Sequence, residues 1–162
     1  DREIESFISF LKTSGRLKDT ILVVNSDHGD GKETSFPWRR PTLVDRFHRE
    51  FLHIPFIIYH EGIKPRVIDK LCGQADIFPT LFDMIDVEAP EEFIGRPMLR
   101  EERDYLICEA ADSGNCDLSR RVLSFTYIDD QFKLMTLLKG NSLEASRFYD
   151  LLNDPWEMYF LE

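Results

Sequence analysis

The chain has 162 residues, the size of one ordinary domain, and 43% of them are hydrophobic, which is enough for a buried core. Twenty Lys and Arg stand against 30 Asp and Glu, a net charge of −10. That balance argues against nucleic acid as the main partner, because phosphate backbones are held by clustered basic side chains. No run of about 18 apolar residues occurs, so the sequence predicts no membrane segment.

The three cysteines lie in no C-x-x-C pattern, and their number is odd. This argues against a disulfide framework and against a cysteine-based zinc site. A bond between Cys108 and Cys116 stays open, and with it the redox compartment.

The first predicted element is a helix over residues 1–13. Ile4, Phe7, Ile8 and Leu11 recur at the spacing of one apolar helix face. Gly15 is the expected residue after the helix end, because glycine accepts a positive φ. The chain starts with Asp1 rather than Met, and a helix that starts at once is typical of a piece of a larger protein.

Two short apolar runs, residues 21–24 and 54–59, predict strands. The first is continuous rather than alternating, which favours a strand buried on both faces, as in a parallel sheet. Asp76 is the expected N-cap of a following helix, with Pro79 in its first turn. This order of helix, strand, loop, strand and helix predicts the α/β class.

The chain changes character after Pro90. Short β-prone segments lie at 105–109, 121–128, 132–138 and 147–151, and the tripeptide 129–131 is short enough to close a hairpin. We therefore predict two parts: an α/β part over residues 1–90 and a small antiparallel-sheet α+β subdomain over residues 91–162.

The polar segment after the first strand is the candidate for chemistry. Asp27 and His28 follow that strand directly, where open α/β sheets place ligands. Both side chains can reach one metal only if the chain turns there, and Gly29 and Gly31 make a turn inexpensive. A carboxylate beside an imidazole suits zinc or manganese better than magnesium. The plain alternative is an acidic turn with a surface histidine.

Other candidates lie further along the chain. His48 belongs to an irregular stretch that can fold over Asp27 and His28, as a further ligand or as a general acid. Arg39 and Arg40 are candidates for binding a sulfate or phosphate group, since Arg pairs bidentately with such oxygens. His53 and His60 flank the second strand and are interpreted as structural. The sequence contains no nucleophile elbow and no phosphate-binding P-loop motif.

Five segments, in this order, resemble the C-terminal portion of sulfatases of the alkaline phosphatase superfamily. The first ends in the S-D-H-G tetrapeptide, the second carries H-I-P-F-I-I, the third A-D-I-F-P-T-L, the fourth G-R-P and the last Y-D-L-L-N-D-P-W-E. They occupy residues 16–29, 53–59, 75–81, 92–97 and 147–157.

The resemblance implies the C-terminal part of an alkaline-phosphatase-like α/β sheet, followed by the small subdomain. It implies that Asp27 and His28 coordinate a metal. It treats four other residues as structural: Asp76, Thr80, Asp150 and Asp154. The position of the family's catalytic lysine holds Val44 here, which departs from the pattern.

The formylglycine motif C/S-x-P-x-R is absent from the 162 residues, and none of the three cysteines fits it. The resemblance therefore implies a piece of a metal-dependent sulfatase that hydrolyses sulfate esters and is inactive without its nucleophile. The rival reading is the same part of a phosphodiesterase or phosphoethanolamine-type transferase. A third is a non-catalytic sulfatase-like binding domain.

Cofactor and partners follow from the same resemblance. The expected cofactor is a divalent metal ion: calcium in a formylglycine sulfatase, zinc or manganese in a phosphate-ester enzyme. The expected partners are a small-molecule or glycan sulfate ester and the N-terminal part of the same protein. Self-association through an exposed apolar surface is a further expectation. Enzymes of this type are often periplasmic, secreted or lysosomal, but the sequence does not fix the compartment.

Overall fold

A computed structural model describes residues 1–29, 47–111 and 122–161. The chain order of the helices is α1 (Arg2–Thr13), α2 (Arg49–Leu52) and α3 (Ile77–Met84). The strands are β1 (Leu22–Asn25), β2 (Phe56–Tyr59), β3 (Tyr105–Ala111), β4 (Val122–Asp129), β5 (Phe132–Lys139) and β6 (Ser142–Asp150). Short 3-10 turns over Leu17–Asp19 and Gln74–Asp76 precede β1 and α3.

Helix α1 confirms the first prediction. It ends at Thr13, and Gly15 follows the cap with φ +71°, the left-handed conformation expected of that position. Of the predicted apolar face only Leu11 is buried, while Ile4 and Phe7 are 41% and 48% exposed. Helix α1 is therefore amphipathic, and the described residues leave most of its apolar face exposed.

Strands β1 and β2 pair with each other in antiparallel register, from Leu22 opposite Tyr59 to Asn25 opposite Phe56. The expectation of a parallel arrangement is wrong for this pair. The predicted burial on both faces is also wrong within the described residues, because the apolar residues of β1 are only half-buried. A continuous apolar run carries no information about strand direction. Within the described residues β2 also alternates, with Ile57 57% exposed. The α/β class is confirmed by the combination of helices and strands.

Helix α3 is anchored by a buried polar network at its N-terminus. Asp76 occupies the predicted N-cap position and is 1% exposed, but its carboxylate does not cap α3. Instead it accepts hydrogen bonds from the amides of Gly73 (2.9 Å) and Arg96 (2.8 Å) and from the Arg103 guanidinium. The buried Thr80 hydroxyl donates to the Asp76 carbonyl (2.6 Å) and accepts from a second backbone amide (3.0 Å). Both side chains are structural, as predicted.

The second half of the chain forms the predicted antiparallel sheet, in the order β3-β4-β5-β6. A tight turn after Asp129 joins β4 to β5, which confirms the predicted hairpin. Strand β6 begins at Ser142, five residues before the predicted segment. The hydrophobic core against this sheet contains Met135 (0% exposed), Tyr149 (2%) and Phe47 (3%). The boundary between two subdomains near residue 90 stays a prediction.

Two further features bear on the sequence predictions. Cys108 has a free thiol, and Cys116, its candidate disulfide partner, lies outside the described residues. Burial raises the pKa of the Cys108 thiol, which keeps it protonated. Within the described ranges, no helix is both long and apolar enough to span a bilayer.

Candidate functional site

The loop after β1 is held in place by hydrogen bonds to its backbone. The Ser26 hydroxyl donates to the carbonyl of His28 (2.7 Å). The Gln74 side-chain amide donates to the carbonyls of both Ser26 and Asp27, each at 2.9 Å. The segment before α3 therefore fixes the loop from one side and leaves the side chains of Asp27 and His28 exposed.

The imidazole of His28 has a defined tautomer. Its Nδ1 lies 2.7 Å from the carbonyl oxygen of Gly29, and because a carbonyl only accepts, Nδ1 carries the proton. In the neutral ring Nε2 then has a free lone pair, the state in which histidine binds metals. Nε2 lies 3.7 Å from Oδ2 of Asp27, and the two side chains are 57% and 87% exposed.

Helix α2 forms the opposite wall of this loop. The ring of Phe51 stacks on the His28 imidazole with centroids 4.8 Å apart and an interplanar angle of 6°. The Gly29 amide donates to the Phe51 carbonyl at 2.8 Å. A Cβ at Gly29 would lie 2.0 Å from the Glu50 carbonyl oxygen, so no other residue fits there. Gly29 is needed for this close approach and has no positive φ, which differs from the predicted reason for a glycine.

A carboxylate oxygen and an imidazole nitrogen that face each other and are open to solvent fit a divalent metal as two of its ligands. Within the parts of the chain that the structure describes, no cluster of three or more His, Cys, Asp or Glu side chains accompanies them. Among the described residues the pair therefore offers two candidate ligand atoms.

His48 lies in a different, buried setting. It is 4% exposed, its Nδ1–H donates to Oε2 of Glu157 at 2.7 Å, and its ring meets Tyr149 edge to face. Glu157 also accepts from Lys133 Nζ (2.7 Å) and from the Arg49 amide (3.2 Å). His48, Lys133 and Glu157 thus form a buried triad in which the carboxylate stands between two cationic or proton-donating partners.

The electrostatics of the buried triad follow from burial and pairing. Burial opposes the charge of Glu157, but the hydrogen bonds from His48 and Lys133 outweigh it and lower the pKa of the carboxyl. Burial lowers the pKa of Lys133, and the nearby Glu157 carboxylate works against that shift. Removal of either charged partner leaves an uncompensated buried charge.

The remaining predicted residues divide into two groups. Arg39 and Arg40, the candidates for anion binding, lie outside the described residues, as does Val44. His60 is structural as predicted: its Nδ1 accepts from the Gly62 amide (3.0 Å), so its Nε2–H donates to the Lys18 carbonyl (3.1 Å). His53 is exposed.

Sequence reasoning missed four residues around the site: Phe51, Gln74, Lys133 and Glu157. Glu157 is the last residue of the D-P-W-E segment, and that motif was the one available signal for it. Nothing in the local pattern of the other three indicated a contact with the loop or the triad.

The chain matches the family model described as Sulfatase over residues 1–87. It is 28% identical to a Delta 4,5-hexuronate-2-O-sulfatase of Bacteroides thetaiotaomicron, over 96% of this chain and 33% of that protein. It is 32% identical to an arylsulfatase of Clostridium perfringens, over 98% of this chain and 32% of that protein. The chain thus spans about a third of the length of these curated relatives.

The chain also resembles a solved structure over nearly its whole length and over about a third of the other chain. A Bacteroides thetaiotaomicron protein solved in work on glycosaminoglycan metabolism superposes with a TM-score of 0.81 at 23% identity, over 99% of this chain and 36% of that one. This likeness supports the fold. The family match covers more than half of the chain, and its range includes the loop after β1 and helices α1 to α3: the chain belongs to the sulfatase family.

Proposed function

We propose that Asp27 and His28 supply two ligands of a divalent metal site in a sulfatase that cleaves sulfate esters carried on sugars. The observation that supports this is the hydrogen bond from His28 Nδ1–H to the Gly29 carbonyl, which leaves Nε2 as the nitrogen for a metal, 3.7 Å from the Asp27 carboxylate. A curated relative named for the removal of a 2-O-sulfate from a hexuronate supports the choice of a sugar sulfate.

The residues of this chain would contribute position and electrostatics. Asp27 supplies negative charge and an oxygen ligand, and His28 supplies a neutral nitrogen ligand in an orientation fixed by Gly29 and Phe51. When bound, a divalent ion polarises the ester oxygens and stabilises charge in the transition state. The nucleophile and the remaining ligands would come from the part of the relatives' length that this chain does not cover.

The experiment compares hydrolysis of an aryl sulfate, a sulfated unsaturated disaccharide and an aryl phosphodiester by the longest natural protein that contains this sequence. We expect Asp27→Asn to lower kcat/KM for the sulfates by about 100-fold, because a metal ligand is lost. The matched control is Asp130→Asn, a change of the same kind at an exposed turn residue of the other sheet, which should stay within twofold. Turnover of the phosphodiester alone would support the phosphate-ester reading, and sulfate hydrolysis unaffected by Asp27→Asn would overturn the proposal.

We also propose His48 as the general acid and Arg39 with Arg40 as the contacts to the ester anion. Loss of a general acid in His48→Gln would remove the alkaline limb of the pH profile of kcat/KM. A supporting role alone would lower the thermal midpoint and leave the shape of the profile unchanged, which would refute the assignment. For the two arginines, Arg39→Gln and Arg40→Gln should raise KM for sulfates more than they lower kcat.

A further inference from the structure

We propose that Glu157 is a positioning residue for the Asp27–His28 pair, acting through helix α2. The chain of contacts runs from Glu157 to the start of α2, from Phe51 of α2 to the His28 ring, and so to the proposed metal ligands. This inference rests on the proposed metal site and adds to it a residue near the far end of the sequence.

The first link is the attachment of α2. Helix α2 has four residues, which is too short to be stable by its own hydrogen bonds. Its start is held by Glu157, which accepts from both the His48 ring and the Arg49 amide. The Arg49 guanidinium also lies 5.5 Å from the centroid of the Trp156 ring. Two adjacent residues of the C-terminal segment therefore fix the start of this helix.

The second link is the anchor of Glu157 itself. Its other oxygen accepts from Lys133, which is 1% exposed and belongs to β5, one of the two inner strands of the four-stranded sheet. Glu157 also has φ +55°, a left-handed conformation that is unfavourable for a residue with a Cβ. Such a conformation persists only where the surroundings hold it, and here the contacts of the carboxylate do so. The start of α2 is therefore connected, through Glu157 and Lys133, to the four-stranded sheet.

The third link reaches the site. Phe51, two residues after Arg49, stacks on His28, and its carbonyl accepts from Gly29. Because Gly29 lies so close to the Glu50 carbonyl, the loop and helix α2 have little room to move relative to each other. A displacement of α2 would therefore shift the imidazole relative to the Asp27 carboxylate, and the distance between the two ligand atoms would change.

The test uses Glu157→Gln, which keeps the size of the side chain and removes its charge. Two quantities are measured on the longest natural protein that contains this sequence: amide hydrogen exchange by NMR, and the affinity for Mn²⁺ as the probe metal, from the paramagnetic broadening of the His28 ring signals. We expect exchange at the Gly29 amide to accelerate at least about 10-fold more than exchange in β4 and β5, and Mn²⁺ affinity to fall about 10-fold, as for other supports of metal ligands.

The matched control is Asp150→Asn. This change neutralises an acid at the start of the same C-terminal segment. The Asp150 carboxylate accepts hydrogen bonds from Leu152 and Asn153 of its own turn. This variant should leave both the Gly29 amide and the Mn²⁺ affinity unchanged. If Glu157→Gln accelerates exchange at Gly29 only in proportion to the sheet amides, Glu157 supports the fold and nothing more, and the proposal is overturned.

Two more variants keep the outcome decisive. Where Glu157→Gln does not fold, Phe51→Leu tests the last link: Mn²⁺ affinity should fall about 10-fold with exchange in β4 and β5 unchanged, and an unchanged affinity would contradict the proposal. Asp27→Asn separates the two levels of inference. If it leaves Mn²⁺ binding intact, the metal site is refuted, while the Gly29 exchange in Glu157→Gln still decides whether Glu157 positions the loop.

Discussion

Replacement of Asp76 by alanine should remove a buried polar anchor of the described α/β part. The carboxylate is 1% exposed and accepts from two backbone amides and from Arg103, whose side chain is 18% exposed. Asp76→Ala leaves those donors without their acceptor and leaves the guanidinium partly buried and unpaired. Removal of one partner of a buried pair costs about 3–5 kcal/mol, and we expect that range for the free energy of unfolding.

The assay is equilibrium unfolding in urea followed by far-UV circular dichroism, with Asp83→Ala as the matched control. Asp83 is also an aspartate of this region paired with an arginine, but the side chain of its partner Arg100 is 68% exposed. The Asp83 side chain is itself 16% exposed, but the Arg100 guanidinium stays in water when Asp83 is lost. A pair with such a solvated partner contributes about 0–1 kcal/mol, so the control should lose no more than that. If the two variants differ by less than about 1 kcal/mol, the Asp76 carboxylate is not the anchor described here.

Three further predictions concern stability. Thr80→Val keeps the shape of a fully buried side chain but leaves the buried amide of Met98 without its acceptor, so it should cost about 1–3 kcal/mol in urea unfolding. The control Thr20→Val removes a more exposed hydroxyl and should cost less than about 0.5 kcal/mol. Gly95→Ala places a Cβ 1.9 Å from a backbone carbonyl oxygen and should lower the free energy of unfolding by about 3 kcal/mol or more. At Gly15 the space is open but φ is +71°, so Gly15→Ala should cost only about 1–2 kcal/mol. Equal losses of stability in thermal unfolding would contradict this difference. The pKa of Glu157 is lower in the folded than in the unfolded chain. The ionised carboxylate therefore contributes fully to the free energy of unfolding above the unfolded pKa of about 4.3, and this contribution is lost as pH falls through the folded pKa. Glu157→Gln should flatten the acid limb of a plot of stability against pH, and an unaltered limb would refute this prediction.

The sequence predicted those parts of the fold that depend on local pattern. The helix over residues 1–13 follows from the recurrence of four apolar residues on one face, and the β4–β5 hairpin from alternation around a short polar turn. The early start of β6 was missed, although Gly140-Asn141 is a hairpin signal and Gly140 has φ +57°. The polar residues at the start of β6 hid a strand that pairs with β5 through its backbone.

The site was predictable only in part for the same reason. Asp27 and His28 stand directly after a strand, a position that sequence can locate. The stacking of Phe51 on His28 and the contact of Glu157 with α2 join residues far apart in the chain, and no periodicity encodes such contacts. The direction of β2 relative to β1 belongs to the same class, because a side-chain pattern reports which faces are covered and not which way the neighbouring strand runs.

The narrow β1–β2 ribbon has a consequence for the order in which the molecule opens. Within the described residues this ribbon has two strands, and a two-stranded sheet is marginal by itself, whereas the other sheet has four. The ribbon should therefore be a separate low-energy opening unit, and the loop that carries Asp27 and His28 opens with it. Any ion held by that loop only in the closed form adds RT ln(1 + [L]/Kd) to the opening free energy of the ribbon alone. Occupancy of the site would thus be readable as slower exchange of β1 and β2 amides beside an unchanged four-stranded sheet.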